Sequence, residues 1–268
     1  TVRSLGRLRR ARVPVLFGHT VQEALGDNAL RAVRIRSMTG ADTVVACDGL
    51  GVCYGFLVSS ELARQAGARH SWVDGSGWIV HADEFMRTNI PGLSVAGEQT
   101  GVAGAEAAAL SGEIAGIGIA LDAGRLSNSA AEEQTRRQRN RLAKVRRFAG
   151  VLAQLAKPAP STLAELAHRS AVLCRCEDVT VAALMDAIAA HPEVASASTA
   201  KLLTRVGMGL CQGRMCEISV RRLIAQLRGR AVSEIPGYVV RAPVKPVPVA
   251  LLASDRGALD IDPTASSP

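Results

Sequence analysis

Four of the chain's six cysteines fall into two tight pairs, Cys174-Arg-Cys176 and Cys211-Gln-Gly-Arg-Met-Cys216, with 34 residues between them. No other feature restricts the fold so strongly. Four thiolates converging from two loops suit a soft metal or an iron–sulfur cluster. Structural zinc usually takes C-x(2–4)-C pairs, and the C-x-C spacing departs from that habit. In C-x-C the two sulfurs flank one backbone turn and can reach the same metal ion. The glycines of "VGMGL" and "QGR" let backbone amides approach the sulfurs. Arg175, Arg205 and Arg214 would surround such a site with positive charge, which favours a reduced cluster. Inert core thiols and a redox-active disulfide are the competing readings, and both fit the two-pair arrangement less well. Cys47 and Cys53 read as ordinary buried thiols at a strand end and a turn.

The remaining composition limits what surrounds this site. At 268 residues, 48% hydrophobic and 21% charged, the chain is globular in character and long enough for one large or two modest domains. Aromatics make up only 3%, so the core must be aliphatic and bases would find few rings to stack on. The net charge is +8, its densest basic run falls mainly on the wet faces of one helix, and we expect no nucleic-acid partner. No stretch approaches the ~20 apolar residues of a membrane span. The apolar part of the opening, "VPVLF", is too short for a signal peptide. A cytoplasmic setting with reduced thiols is therefore expected. The chain opens on Thr1 rather than Met, as a fragment or a trimmed chain would.

Along the chain, 13–37 reads as strand, turn, strand, and 43–47 as a further apolar strand. "SSELARQAG" (59–67) is a short capped helix, and strands are expected near Trp78–Val80 and at 92–97. "GVAGAEAAALSGEIAGIGIAL" (101–121) is a helix apolar nearly all round, expected to be buried against a sheet. In 130–156 Leu142, Val145, Ala149, Leu152 and Leu155 recur at helical spacing, and Glu132/Arg136 and Glu133/Arg137 are i,i+4 pairs. "KPAPSTL" (157–163) breaks the pattern. Two further helices, "TVAALMDAIAAH" and "EISVRRLIAQLRG", follow around the cysteine pairs. Prolines 243, 246 and 248 predict an extended tail over 241–254, lying in a groove, with a disordered end beyond it.

Two segments resemble known families. "VLCRCEDVT…LTRVGMGLCQGRMC" resembles the bacterioferritin-associated-ferredoxin-like 2Fe-2S domain, in the C-x4-C form fused to flavin dehydrogenases. The resemblance implies a small helical domain with Cys174, Cys176, Cys211 and Cys216 as cluster ligands. "MRTNIPGLSVAGEQTGVAGAEAAALSGEIAG" (86–116) resembles the C-terminal FAD-contact segment of two-dinucleotide-domain flavoproteins, with Glu98 where Asp is usual. A strand would deliver Gly97-Glu98 to the sheet end, Glu98 would accept from a ribityl hydroxyl, and the next helix would aim its amides at the flavin. Gly97, Glu98, Gly101, Val102 and Ala103 are the candidate FAD contacts. No strand–GxGxxG–helix is present, so only the C-terminal part of that fold is matched.

Together the resemblances point to the FAD-dependent opine/amine dehydrogenase (hydrogen cyanide synthase-like) α-subunit family. They imply an α/β fold, a partial two-dinucleotide-domain flavoprotein, followed by the small helical cluster domain. The expected divisions are 1–50, remnant of the NAD(P)-like domain; 51–125, FAD segment; 126–168, connector helix and linker; 169–232, cluster domain; and 233–268, tail. The implied role is electron relay between FAD and a 2Fe-2S cluster. The implied partners are a companion flavin subunit resembling D-amino-acid oxidase and a small ferredoxin-like subunit. The alternative is an iron–sulfur module that binds no flavin. No catalytic acid or base stands out, and His19, His70 and His81 lack spaced partners.

Overall fold

The computed structural model describes residues 2–157, 163 and 166–254. Its chain divides into two compact units, Thr1–Tyr54 with Pro158–Leu166, and Gly55–Lys157 with Ala167–Pro268. The first unit opens with helix α1 (Val2–Arg10), followed by an antiparallel meander of β1 (His19–Leu25), β2 (Ala32–Ser37) and β3 (Asp42–Ala46). Register runs from His19 opposite Ser37 to Leu25 opposite Ala32, with a bulge between Val21 and Glu23. Val33 and Ile35 alternate inward on the central strand. The β1–β2 turn requires glycine, because a Cβ at Gly26 would lie 2.0 Å from the Ala29 carbonyl oxygen. The strand expected from Val13 begins only at His19: Pro14 has no amide to donate, and Gly18 turns the chain at φ 67°. Cys47 is half-buried and Cys53 exposed, not core thiols, because every residue of β3 is exposed.

The second unit is built mainly from helices, with two short hairpins. After α2 (Glu61–Gln65) comes a hairpin of β4 (His70–Val73) and β5 (Gly77–Val80), which pairs Trp72 with Trp78. The strand expected at 92–97 is reduced to a single bridge between Arg87 and Ser94. Helix α3 (Ala105–Asp122) then packs not on a sheet but on α4 (Asn128–Ala156), whose first turn is capped by the Ser127 hydroxyl accepting from the Ala130 amide. Ile114, Leu110 and Met86 meet Leu142 in their shared core. Each such side chain contributes about 1.5–3 kcal/mol by leaving water. On α3 the missing side chain of Gly118 makes room for Phe85: a Cβ there would stand 2.7 Å from the Phe85 carbonyl oxygen. The expected i,i+4 pairs on α4 give way to Arg139, which reaches Glu132 and Glu84 and covers the Phe85 ring. Leu155, expected on the apolar stripe, is exposed.

The cysteine segment follows. β6 (Val172–Cys174) and β7 (Val179–Thr180) form a bulged hairpin, and α5 (Val181–Ala190), α6 (Ala197–Thr204) and α7 (Glu217–Arg228) close over it. Leu184, Ile188, Val206, Val220, Ile224 and Ile235 form their common core. Helix α6 was not legible as a helix in the sequence; Ser196 caps it by accepting from the Thr199 amide. The tail is not extended throughout, because Val249–Ser254 forms a short helix α8. Most of the Pro-rich break and the end beyond Ser254 lie outside the described residues. All strand pairings among the described residues are antiparallel. No helix among them is long and apolar enough to cross a membrane.

Two glycines of one helix test this packing. Gly118→Ala should destabilise the protein by about 1–3 kcal/mol through its clash with Phe85. Gly112→Ala, which meets nothing within 4 Å, should instead stabilise it by up to about 1 kcal/mol. Thermal or urea denaturation distinguishes the two, and equal effects would contradict the α3–Phe85 contact.

Candidate functional site

The four paired cysteines are brought to one place by two loops of contrasting build. Cys174 ends β6 and is 2% exposed, whereas Cys176 sits in the hairpin turn and faces solvent. The second loop, 205–216, starts where Arg205 ends α6 in the left-handed region at φ 65°. Tight turns carry it onward: the Met208 amide donates to Arg205, the Gln212 amide to Gly209 and the Glu217 amide to Gly213. Gly209 lies so close to the first loop that a Cβ there would be 2.2 Å from the Cys176 Cβ. Only glycine allows the two loops to touch at this point.

The sulfurs stand as two interacting pairs. Cys176 bears on the Cys211 thiol and Cys174 on that of Cys216, while Cys211 also bears electrostatically on Cys216. Partial burial raises the Cys211 pKa, but the Met215 and Gly213 amides, the Cys176 thiol and Arg214 together hold it below the ordinary cysteine value. Burial pushes Cys216 up to about 12, with Cys174 and Cys211 adding to the effect. Cys211, in the outer pair, is thus acidified, whereas Cys216, in the buried pair, is not. Arg214 is the cation that acts on this pair; Arg205 is held by Glu177 at 2.9 Å, so the expected ring of three arginines is reduced. Among the described residues no group of three or more His, Cys, Asp or Glu is arranged to hold a metal ion. The donor set itself, four thiols with amides aimed at one of them, has the chemistry of a soft-metal or cluster site.

Tyr238 backs this loop. Its hydroxyl donates to the Val206 carbonyl at 3.2 Å and lies 3.9 Å from the Cys216 sulfur, and burial raises its pKa well above the ordinary phenol value. Cβ atoms at Gly207 and Gly213, both at φ +83°, would stand 2.5 and 2.3 Å from its ring. Tyr238 and the glycines facing it complete the site, yet no spacing rule pointed to Tyr238.

The FAD-contact candidates form a second, separate stretch. Gly97, at φ 76°, and Glu98 begin a 3₁₀ turn over Gly97–Thr100, not a strand end, because the chain before them makes just one bridge. The buried Ser111 hydroxyl accepts from the Gly97 amide, and Thr100 donates to the Gly97 carbonyl. Arg146 donates to the Thr100 hydroxyl at 2.7 Å, and its own burial depresses its pKa. Ser111, Thr100 and Arg146 hold this turn, and their roles were not foreseen from the sequence. The Glu98 carboxylate is exposed and engaged by no hydrogen bond among the described residues. Gly101 (φ 124°), Val102 and Ala103 are non-helical and lead to Gly104 (φ 84°), which starts α3 without a side-chain cap. Bare glycine backbone before uncapped helix amides fits a phosphate- or ribityl-bearing cofactor. The three histidines have local partners: His19 bonds the Phe17 carbonyl, His70 the Ala68 carbonyl and His81 the Ser71 hydroxyl.

Known proteins resemble both stretches. Residues 3–117 match the pyridine nucleotide-disulphide oxidoreductase family model, and residues 168–256 the sarcosine oxidase A3 domain. The fold is shared with the crystal structure of L-proline dehydrogenase from P. horikoshii, at a TM-score of 0.63 and 22% identity, over 94% of this chain and 48% of that one. The chain is 33% identical to an opine oxidase subunit of Rhizobium meliloti over 83% of its length and 42% of that protein's. It is 31% identical to hydrogen cyanide synthase subunit HcnB of Pseudomonas protegens over 91% of its length and 52% of that protein's. The chain spans about half the length of the curated relatives it matches.

The Cys211 loop offers a direct check. Gly213→Ala combines a left-handed backbone with a clash against Tyr238 and should cost about 2–4 kcal/mol. In a Tyr238→Ala background the same change should cost clearly less. Full additivity in denaturant titrations would mean that ring and loop are not in contact.

Proposed function

We propose that this chain is part of an FAD-dependent oxidoreductase that acts on C–N bonds, in which the four cysteines hold a 2Fe-2S cluster. The observation that carries the cluster reading is the loop-to-loop contact at Gly209. It joins the C-x-C and C-x4-C pairs and leaves one pair dry and the other at the surface. Cys174, Cys176, Cys211 and Cys216 would be the ligands, with the Gly213 and Met215 amides donating to sulfur. Gly97, Glu98 and the 101–103 backbone would hold FAD, the carboxylate accepting from a hydroxyl and the α3 amides facing negative charge. When bound, FAD would supply two-electron chemistry and the cluster one-electron relay.

The chain's own residues give this reading a direction. The buried pair, Cys174 and Cys216, keeps water from one side of the site. The outer pair, Cys176 exposed and Cys211 half-buried, opens it where Leu210 and Met215 stand bare in solvent. The relatives are named as subunits, and a companion polypeptide, the expected D-amino-acid-oxidase-like partner or a small ferredoxin-like one, would meet the protein on such an edge. No candidate acid or base lies among these residues, so substrate oxidation itself is assigned to the companion.

Purified anaerobically, the protein should carry two irons and two acid-labile sulfides per chain and lose them in Cys176→Ser and Cys211→Ser variants. Stoichiometric zinc without sulfide would overturn the cluster assignment. In a polypeptide of the relatives' full length, Glu98→Leu should weaken FAD retention by about tenfold, as the loss of one charged hydrogen bond implies. Unchanged flavin content after gel filtration would refute that role for Glu98.

A further inference from the structure

A second polar site lies within the same unit, beside the cysteine loop but formed largely by other elements. A cavity of about 310 Å³ is bordered by Arg64 and Glu61 of α2, Lys201 of α6, Arg214 and Glu217, with Tyr238 as one wall. Among the described residues Arg64, Lys201 and Arg214 form no salt bridge, although most of the chain's ion pairs are arginine–carboxylate contacts elsewhere. Arg64 lies 5.0 Å over the Trp78 ring and has one long hydrogen bond, 3.5 Å to the Tyr238 carbonyl. Lys201 stands 5.7 Å from the Tyr238 ring centre. Arg214 donates to the Val244 carbonyl.

The two carboxylates at the cavity are already engaged. Glu217 accepts from the Trp78 indole at 3.0 Å, and its oxygen would be 2.0 Å from a Cβ at Gly237, so it is wedged in place. Glu61 accepts from the Ser59 hydroxyl at 2.8 Å. The segment 239–244 completes the wall and brings Arg241 to it, so the cavity is closed by the chain that follows Tyr238. Positive charge therefore exceeds negative at the cavity, and the cations that supply it have donors to spare. Burial disfavours the Arg64 charge, and Glu217 and Glu61, which lie near it without pairing to it, offset only part of that.

We propose that this cavity binds a small anion through an oxyanion head group, carboxylate or phosphate, gripped by Arg64, Lys201 and Arg214. Guanidinium groups recognise both head groups through paired N–H donors, and Lys201 adds a mobile charge. The assignment needs neither iron nor flavin, although it shares Arg214 with the cysteine loop.

The test is calorimetric titration of the full chain with three probes: inorganic phosphate, AMP and succinate. At least one should bind with one-to-one stoichiometry, and the stronger of the phosphate and carboxylate arms identifies the natural head group. Lys201→Met and Arg214→Met should each weaken that probe at least about tenfold, the loss expected for one charged contact. Lys201→Arg should retain most of the affinity. Lys144→Gln, a charge removed from α4, should change nothing. Circular dichroism of each variant separates lost binding from lost fold. The proposal is overturned if no probe binds at 1:1, if Lys201→Met and Arg214→Met bind like wild type when folded, or if Lys144→Gln weakens binding equally.

Discussion

A guanidinium sealed from water between two indoles holds the second unit together. Arg221 of α7 is fully buried, 3.7 Å from the Trp72 ring and 4.8 Å from Trp78, the only tryptophans in the chain. Taking such a charge out of water costs several kcal/mol. Cation–π contact, worth about 2 kcal/mol or more when desolvated, offsets part of it. The Ile235 and Val232 carbonyls, accepting at 2.7 and 2.8 Å, offset more. Burial still depresses the Arg221 pKa, against the opposing pull of Glu217 one turn earlier. One side chain thus ties the β4–β5 hairpin, helix α7 and the 232–235 turn. Losing it would leave two carbonyls and two ring faces without a partner.

The tie reaches the cysteines through chain connectivity. Glu217, which accepts from Trp78, directly follows Cys216, so the hairpin that carries the tryptophans also fixes the end of the cysteine loop. Asp74 at the hairpin tip adds ion pairs with Lys157 and Arg222, at 2.7 and 3.4 Å. The Lys157 hydrogen bond holds the Asp74 carboxyl below its ordinary range. A depressed carboxylate stabilises the fold above its unfolded pKa, and that contribution fades as pH falls through the lowered value. Exposure of both partners keeps it small. The polar contacts are therefore graded: a dry arginine at the centre and solvated pairs around it.

Much of this was legible in the sequence. Local signals marked α4, α2 and the two helices flanking the cysteine pairs, because they lie within a few turns of chain, although Ser60 makes no side-chain cap bond at α2. The cysteine pairs were equally plain, since ligand chemistry depends on residue type and spacing. Other elements were misread. The strand expected over 92–97 is a single bridge, since no neighbouring strand is there to pair with it. Helix α3 looked built for a sheet, but it packs on α4 instead, and its Gly118 makes room for Phe85. Helix α6 is short and weakly patterned, and packing against α5 and α7 defines it.

By itself the sequence determined which residues carry chemistry, four thiols and a Gly-acid turn ahead of a helix, because side-chain type and local spacing decide those. Only the tertiary structure decided how they are used. It buried one thiol pair and left the other at the surface, backed the loop with Tyr238, and set Ser111, Thr100 and Arg146 to hold the Gly97 turn. It also gathered Arg64, Lys201 and Arg214 around one cavity. The physical reason is range: burial, desolvation and cation–π contact join residues more than a hundred positions apart, as Trp78 and Glu217 are, and no local pattern records such a meeting.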